Sequence, residues 1–182
     1  MKAPQILFIT GTDTGVGKTV FAALSAVYLR QNGFRVAAFK PLCSGGRDDA
    51  RILHAAAGKV LSLSEVNPWF FRAALAPVLA ARKEKRQVRL REVVAHIRRM
   101  AKRFEVVVVE GAGGLLSPLG EGFDSRDLIQ ALNATPVIVC LNRLGAVNQV
   151  RLVLEALTPA AKKLARVVLV NPKKPDDASQ TN

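Results

Sequence analysis

The feature that most constrains this chain is residues 6–20, ILFITGTDTGVGKTV. Apolar, mostly β-favouring residues come first, a loop with glycines at Gly11, Gly15 and Gly17 follows, and the next residues contain no helix breaker. Glycine permits positive φ and lets a backbone approach a ligand closely. Loop N–H groups and a helix N-terminus can then converge on an anion. The stretch predicts a strand, a phosphate-binding loop and a helix.

The end of this loop carries the side chains expected to bind a nucleotide. Lys18 is placed to reach the β- and γ-phosphates, and the Thr19 hydroxyl to bind Mg²⁺. The usual phosphate-loop pattern would put its first glycine at Thr12, whereas this chain has Gly11. A glycine-rich turn that binds nothing is the alternative, which the correct order of strand, loop and helix disfavours. The nucleotide-binding residues expected here are Gly15, Val16, Gly17, Lys18, Thr19 and Val20.

Strand and helix patterns alternate along the rest of the chain. Further strands are expected at residues 35–39, 104–110, 135–141 and 166–170, with a short edge strand at 60–63. Helices are expected after the phosphate loop, at 50–57, around 90–102, at 124–132, and up to residue 157. This order predicts an α/β fold, doubly wound, with a mainly parallel sheet flanked by helices. We expect one nucleotide-binding domain over residues 1–172 and a polar tail at 173–182.

Two predicted strands end in charged residues. Lys40 follows the strand at 35–39 and begins a loop rich in Pro and Gly, and Glu110 ends the β-branched strand at 104–110. Ligands bind at the carboxyl ends of parallel strands, and a carboxylate at a strand end beside a phosphate loop can hold Mg²⁺. A solvated surface charge is the alternative for Lys40. Asp48 and Asp49 open the next helix and could cap it or face the metal.

The segment between Asn67 and Pro77 is expected to be irregular and is a candidate cover for the site. Its aromatic residues, Trp69, Phe70 and Phe71, are expected to pack in the protein rather than to stack on a ligand.

The formal net charge of +13 is concentrated between residues 82 and 103. There Leu90, Val93, Val94 and Ile97 recur at helical spacing with basic residues around them. A nucleic-acid surface is one interpretation. A solvated basic helix face is preferred, because no interleaved aromatic residues or nucleic-acid motif accompany the charge.

Other features bound the cellular context. Cys43 and Cys140 lack metal-ligand spacing and are expected to be reduced thiols, which favours the cytoplasm. The first four residues lead directly into a strand without a signal-peptide pattern. No apolar run is long enough to span a membrane.

Four separated segments together resemble the dethiobiotin synthetase family, in the same order. They are residues 11–19 (GTDTGVGKT), 40–45 (KPLCSG), 110–114 (EGAGG) and 144–148 (LGAVN). Residues 76–81 and the strand end at Asn171 and Pro172 are weaker matches. The resemblance extends from about residue 5 to about residue 172.

The resemblance implies an ATP- and Mg²⁺-dependent ligase of biotin biosynthesis. In that family, an amine of 7,8-diaminononanoate takes up CO₂ to form a carbamate. ATP phosphorylates the carbamate to a carbamic-phosphoric anhydride, and the second amine closes the ring. The intermediates are anionic, so positive charge and a metal ion matter more than a protein nucleophile.

The resemblance also implies residue roles. Lys40 and Lys18 are the expected catalytic residues, and Thr19, Asp49 and Glu110 the Mg²⁺ ligands, with Asp48 as an alternative to Asp49. Further nucleotide contacts are implied for Glu110, Gly111, Ala112, Gly113, Asn171 and Pro172, with Asn171 reading the adenine. Substrate contacts are implied for Thr14, Lys40, Ser44, Gly113, Gly145, Ala146 and Asn148. Because residues 145–148 would receive the substrate carboxylate of a second subunit, a homodimer is expected.

Three departures from the family pattern stand out. Val78 and Gln149 replace histidines that the family usually carries. The family also continues past the adenine-reading strand with another strand and helix, whereas this sequence ends at Asn182. We therefore expect weaker or less base-selective nucleotide binding.

Three other functions are alternatives to this one. A ParA/MinD-like ATPase is disfavoured because residues 11–14 lack the signature lysine of that group. A non-catalytic nucleotide-binding paralogue is a further alternative. A cobyrinate-type amidating enzyme would need an additional glutaminase domain, for which the chain has no room.

Overall fold

The computed structural model describes residues 3–171. Its strands are β1 (Gln5–Gly11), β2 (Val36–Phe39), β3 (Leu42–Ser44), β4 (Trp69–Phe71), β5 (Val106–Glu110), β6 (Thr135–Leu141) and β7 (Arg166–Val170). Its helices are α1 (Lys18–Gln31), α2 (Asp48–Ala56), α3 (Leu63–Val66), α4 (Pro77–Lys83), α5 (Leu90–Ala101), α6 (Ser125–Leu132), α7 (Ala146–Ala156) and α8 (Pro159–Leu164).

The central sheet has five parallel strands in the order β2-β5-β1-β6-β7. Both faces are buried, and alternate side chains of β5 enter different cores: Val107 and Val109 face one, Val106 and Val108 the other. The first core includes residues of α5 and α6, and the second includes residues of α1 and α2. Continuous β-branched strands suit a sheet covered on both faces. The predicted fold class is confirmed.

The strand order brings three loops together. Because β2, β5 and β1 are neighbours, Lys40 after β2, Glu110 at the end of β5 and the phosphate loop after β1 lie at one edge. Ile9 of β1 pairs directly with Glu110 in the register. The topology therefore forms a ligand-binding edge from residues far apart in sequence.

The predicted edge strand at residues 60–63 is wrong. Ser62 is instead the N-cap of α3, where its Oγ accepts a hydrogen bond from the Glu65 N–H at 3.2 Å. Glu65 Oε2 accepts in return from the Ser62 N–H at 2.7 Å. This capping box commits the segment to a helical turn.

The predicted loop at 40–46 contains a strand as well. β3 pairs in parallel with β4, with Leu42 opposite Trp69 and Ser44 opposite Phe71. The segment expected to be irregular between Asn67 and Pro77 therefore holds β4. Pairing between strands this distant in sequence is not indicated by the residues around either strand.

Other local signals are closer to expectation. Asp124 caps α6 by accepting hydrogen bonds from the N–H groups of Arg126 at 2.8 Å and Asp127 at 3.2 Å. The short helix α8, which Thr158 caps, is not predicted. Pro172 and the proposed tail at 173–182 lie outside the described residues. Within residues 3–171, no helix combines the length and apolarity needed to cross a membrane.

Candidate active site

A cleft of about 760 Å³ lies at the carboxyl ends of β1, β2 and β5. The phosphate loop, the segment from β2 to α2, residues 74–77 and the end of β5 form its walls. Predicted site residues that line it are Thr14, Gly15, Gly17, Lys18, Thr19, Val20, Lys40, Ser44, Asp49, Glu110, Ala112 and Gly113. Most of the predicted site therefore meets in one cleft.

Glycines determine the shape of the phosphate loop. Gly15 and Gly17 have φ angles of 74° and 96°, in the left-handed region that disfavours side chains. A Cβ on Gly11 would lie 2.7 Å from Cγ2 of Val16. The early position of the first glycine is therefore explained by close packing of the loop on itself.

Lys18 begins α1, and only 6% of its surface is exposed. Its Nζ donates a hydrogen bond to the backbone carbonyl of Asp13 at 2.7 Å. Burial lowers the pKa of Lys18, and the nearby ammonium of Lys40 lowers it further. An anion in the cleft would stabilise this charge.

Lys40 is buried, with 4% exposure, so the interpretation as a solvated surface charge is wrong. Its Nζ donates hydrogen bonds to Glu110 Oε1 at 2.6 Å and to the Gly111 carbonyl at 3.0 Å. Asp49 Oδ2 lies 3.1 Å away. Burial opposes the charge, but the two carboxylates outweigh it, so the pKa of Lys40 is raised.

The two aspartates that open α2 face in different directions. Asp49 faces the cleft, and although burial opposes its charge, pairing with Lys40 leaves the pKa of the Asp49 carboxyl lowered. Asp48 has a side chain that is 83% exposed and pairs with Nη1 of Arg51 at 2.9 Å. The geometry thus favours Asp49 over Asp48 as a site residue.

The oxygen donors suit a magnesium ion. Thr19 Oγ1 donates to Glu110 Oε1 at 2.8 Å, which brings its hydroxyl together with the carboxylates of Glu110 and Asp49. Glu110 Oε2 is buried and accepts no hydrogen bond within residues 3–171. The described chain holds no group of three His, Cys, Asp or Glu for a metal. Mg²⁺ usually takes one or two carboxylates and completes its shell with phosphates and water, so the residues present fit.

Three predicted substrate residues lie apart from the cleft. Gly145, Ala146 and Asn148 line a separate cavity of about 560 Å³ at the start of α7, together with Arg151 and Leu152. The structure of one chain therefore does not bring them to Lys40. Gly111 is not among the residues that line the cleft, and its carbonyl accepts a hydrogen bond from Lys40.

Asn171 follows β7 and is exposed. Its Oδ1 accepts a hydrogen bond from Nδ2 of Asn142 at 2.9 Å. The end of β7 is close to the phosphate loop, since a Cβ on Gly17 would lie 3.5 Å from the Val170 side chain. Asn171 is thus near the loop but is not part of the cleft wall.

Comparison with known proteins identifies the family. A family model described as an AAA domain matches residues 5–181. The ATP-dependent dethiobiotin synthetase BioD of Akkermansia muciniphila is 38% identical, over 96% of this chain and 82% of that protein. The protein of the same name from Anaeromyxobacter sp. is 42% identical over 95% and 79%. The chain belongs to the dethiobiotin synthetase family.

Among solved structures, the kinase domain of the Escherichia coli tyrosine kinase ETK is similar in fold. The TM-score is 0.62 at 16% identity, covering 95% of this chain and 70% of that one. At this identity the similarity concerns the fold alone. The predicted family, and with it an ATP-dependent ligase, is confirmed by the dethiobiotin synthetases. A ParA/MinD-like ATPase and a non-catalytic paralogue are not favoured.

Among the residues that line this cleft, the sequence pattern missed Ser117, because nothing in its local sequence marks it. Ala74 and Leu75 also line the cleft and lie in the segment expected to cover the site. Cys43 lines the cleft from the loop that begins at Lys40, and burial raises the pKa of its thiol to about 11. Trp69, Phe70 and Phe71 belong to the core or pack against it.

The basic segment at residues 82–103 includes helix α5, whose Val93, Val94 and Ile97 are buried as the helical spacing predicts. Two arginines of this segment interact with other residues of the chain. Arg98 donates to the Ala131 carbonyl at 2.7 Å, and the guanidinium of Arg103 lies 5.8 Å from the ring centre of Phe104. The preference for a solvated face over a nucleic-acid surface stays a prediction.

Proposed function

We propose that the protein converts 7,8-diaminononanoate, CO₂ and ATP into dethiobiotin, ADP and phosphate. The observation that carries this proposal is the position of Lys40. Its ammonium is buried beside the phosphate loop, between Glu110 Oε1 at 2.6 Å and Asp49 Oδ2 at 3.1 Å. A fixed cation at this edge is suited to a reaction in which a carbamate anion attacks the γ-phosphate of ATP.

Lys18 and the phosphate loop bind the triphosphate in this proposal. Loop N–H groups and the start of α1 face the β- and γ-phosphates, and Lys18 neutralises them. The neutral carbonyl that now accepts from Lys18 can be replaced by a charged phosphate oxygen, which forms a stronger bond. Gly15, Val16, Gly17 and Val20 complete the loop around the nucleotide.

Thr19, Asp49 and Glu110 would hold Mg²⁺. When bound, the ion supplies positive charge that neutralises the phosphates and withdraws electrons from the transferred group. The Thr19 hydroxyl and the two carboxylates are oxygen donors of the type that Mg²⁺ prefers. The buried, unpaired Oε2 of Glu110 in the described chain supports this role.

Lys40 acts on the reacting groups. As the amine of the substrate takes up CO₂, its carbamate oxygen becomes the nucleophile, and Lys40 stabilises the charge that develops between carbamate and phosphoryl group. The second amine then attacks the carbamate carbon, closes the ring and releases phosphate. Thr14, Ser44 and Gly113, which line the same cleft, hold the substrate.

The adenine and the second subunit complete the proposal. Asn171, with Pro172 outside the described residues, reads the adenine, and Gly111 and Ala112 present backbone to the nucleotide. Gly145, Ala146 and Asn148 receive the substrate carboxylate of a partner subunit in a homodimer. The separation of their cavity from the cleft in one chain supports that arrangement.

The cellular location and the domain organisation are also part of the proposal. We propose a cytoplasmic enzyme, since Cys43 and Cys140 are free thiols, with one nucleotide-binding domain over residues 1–172 and a polar tail at 173–182. Nucleic acid is not a proposed partner.

The test is product formation from 7,8-diaminononanoate, bicarbonate and MgATP, followed by mass spectrometry. We expect a product with the mass of dethiobiotin that requires all three reactants. Omitting each reactant in turn gives the controls. Saturable ATP binding without any dethiobiotin would contradict the proposal and favour a non-catalytic nucleotide-binding protein.

A further inference from the structure

Asn67 is a buried polar side chain, 1% exposed, that lies behind the cleft rather than in it. Its Nδ2 donates to the Lys40 carbonyl at 2.8 Å and is 3.4 Å from the Pro41 carbonyl. The Lys40 N–H donates to the neighbouring Val66 carbonyl at 3.1 Å. The backbone of Lys40 is therefore bonded on both its N–H and C=O sides to residues 66–67.

Arg47 connects the same asparagine to the helix that carries Asp49. It is the residue immediately before α2. Its Nε donates to Asn67 Oδ1 at 2.9 Å, and one Nη donates to the Asn67 carbonyl at 3.1 Å. Its guanidinium also lies 5.3 Å from the ring centre of Phe70. The two hydrogen bonds from its planar guanidinium and the stacking on the Phe70 ring hold this arginine in a way that lysine cannot reproduce.

The orientation of the Asn67 amide follows from its partners. Guanidinium is a donor only, so it requires the amide oxygen, and the two carbonyls are acceptors, so they require the NH₂ group. One continuous chain of hydrogen bonds thus joins the start of α2 to the end of β2. Those are the two backbone segments whose side chains, Asp49 and Lys40, meet at 3.1 Å.

We propose that Arg47 and Asn67 are positioning residues that hold Lys40 and Asp49 together in the cleft. The expected effect on catalysis rests on the proposed function, whereas the expected effect on the positions of Lys40 and Asp49 does not. Asn67 acts through the backbone of Lys40, and Arg47 acts through Asn67 and through its own position before α2. A small displacement of a catalytic group is sufficient to slow a reaction strongly.

The most discriminating variant is Asn67→Asp. It keeps the size and the acceptor for Arg47, but it turns a carboxylate oxygen toward the carbonyls of Lys40 and Pro41. Arg47→Gln is the second variant, in case Asn67→Asp does not fold, and Arg47→Lys is the conservative one. Arg35→Gln is the matched control, because Arg35 pairs with Glu105 on an exposed surface.

In the dethiobiotin assay, we expect kcat to fall about 10- to 100-fold in Asn67→Asp and Arg47→Gln, with a smaller rise in KM for ATP because Asp49 is displaced together with Lys40. Arg47→Lys should recover only part of the loss, and Arg35→Gln should match wild type. In a Lys40→Ala background, Asn67→Asp should add little further loss, because it acts through Lys40. An equal fold-loss in both backgrounds, or normal kcat in folded variants, would overturn the proposal.

A second measurement is independent of activity. In protein labelled with ¹⁵N-lysine, the buried ammonium of Lys40 should give a protected Nζ signal, assigned by its loss in Lys40→Met. We expect that signal to shift or broaden in Asn67→Asp and Arg47→Gln and to be unchanged in Arg35→Gln. If wild type forms no dethiobiotin, the proposed function fails, and this signal alone decides the positioning proposal. An unchanged Lys40 signal in both variants would refute it.

Discussion

Two lysines of the cleft are almost equally buried, with 6% exposure for Lys18 and 4% for Lys40, yet their surroundings differ. Lys18 donates to a neutral backbone carbonyl of its own loop. Lys40 donates to Glu110 and lies within ion-pair distance of Asp49. Accordingly the pKa of Lys18 is lowered, chiefly by burial, whereas the two carboxylates outweigh burial and raise the pKa of Lys40.

This difference shows how one cleft can use two ammonium groups for different tasks. The charge of Lys18 has no carboxylate within hydrogen-bond distance among the described residues, so it is free to form its closest charge–charge contact with an incoming phosphate. The charge of Lys40 is already balanced, so its contribution to binding an anion is smaller. Lys40 gains importance when new negative charge develops between substrate and phosphoryl group.

The largest difference between the two lysines is expected in the free energy of unfolding of the protein without ligand. Lys40→Met leaves the buried Glu110 carboxylate without its main partner and should lower the free energy of unfolding by about 3–5 kcal/mol. Lys18→Met removes one hydrogen bond together with a desolvated charge, so a change of no more than about 1 kcal/mol is expected. Urea unfolding at neutral pH measures both.

A double variant sharpens this test. Lys40→Met combined with Glu110→Gln should recover much of the lost stability, because no unpaired buried charge is left. If the two single lysine variants were equally stable, the difference in their surroundings would have no energetic meaning.

The next largest effect concerns nucleotide affinity. Lys18→Ala removes a charged hydrogen bond to phosphate worth about 1.5–3 kcal/mol, so ATP should bind roughly 10- to 100-fold more weakly. Calorimetric titration with MgATP measures the affinity directly. Equal affinities of wild type and Lys18→Ala would show that the loop does not use this lysine.

Variants of the two adjacent aspartates can show which of them binds Mg²⁺. Loss of a group that supports a metal ligand typically costs about tenfold in metal affinity. Asp49→Asn should therefore weaken Mg²⁺-dependent ATP binding at least about tenfold. Asp48→Asn is the matched control and should bind as wild type does, because Asp48 faces solvent and Arg51. The reverse pattern would assign the metal to Asp48.

The smallest expected effect concerns nucleic-acid binding by the basic helix α5. Without stacking aromatic residues or a groove-reading motif, this face should bind nucleic acid no more tightly than about 10⁻⁴ M at physiological salt. Electrophoretic mobility shifts with single- and double-stranded DNA test it. Tight binding with a steep salt dependence, abolished by Arg91→Gln and Arg99→Gln, would show instead that the charge serves a nucleic-acid partner.

Much of the fold could be predicted because its signals are local. The strand at residues 135–141 is found with the predicted bounds, and the helix predicted at 124–132 is found as α6 with Asp124 as its N-cap. Lys40 and Glu110 could be assigned to one site because parallel strands place their carboxyl ends together. Each of these inferences needs only a short segment and one topological rule.

The rest depends on contacts that a local pattern does not contain. β3 and β4 form only by pairing with each other across 27 residues, as between Leu42 and Trp69. The positions of Arg47 and Asn67 behind Lys40 likewise result from the assembled fold. The predicted strand at residues 60–63 is wrong for a different reason, because the capping box between Ser62 and Glu65 is a local signal that outweighs the β propensity of Val60.

The most direct test of the central claim is the effect of Lys40→Ala on dethiobiotin formation, measured beside ATP affinity. Because Lys40 stabilises charge that develops during phosphoryl transfer, kcat should fall about 10²–10³-fold. Calorimetry should show ATP affinity close to that of wild type, since Lys18 and its loop are intact. Unimpaired turnover in folded Lys40→Ala would contradict the claim, as would a loss explained entirely by weaker ATP binding.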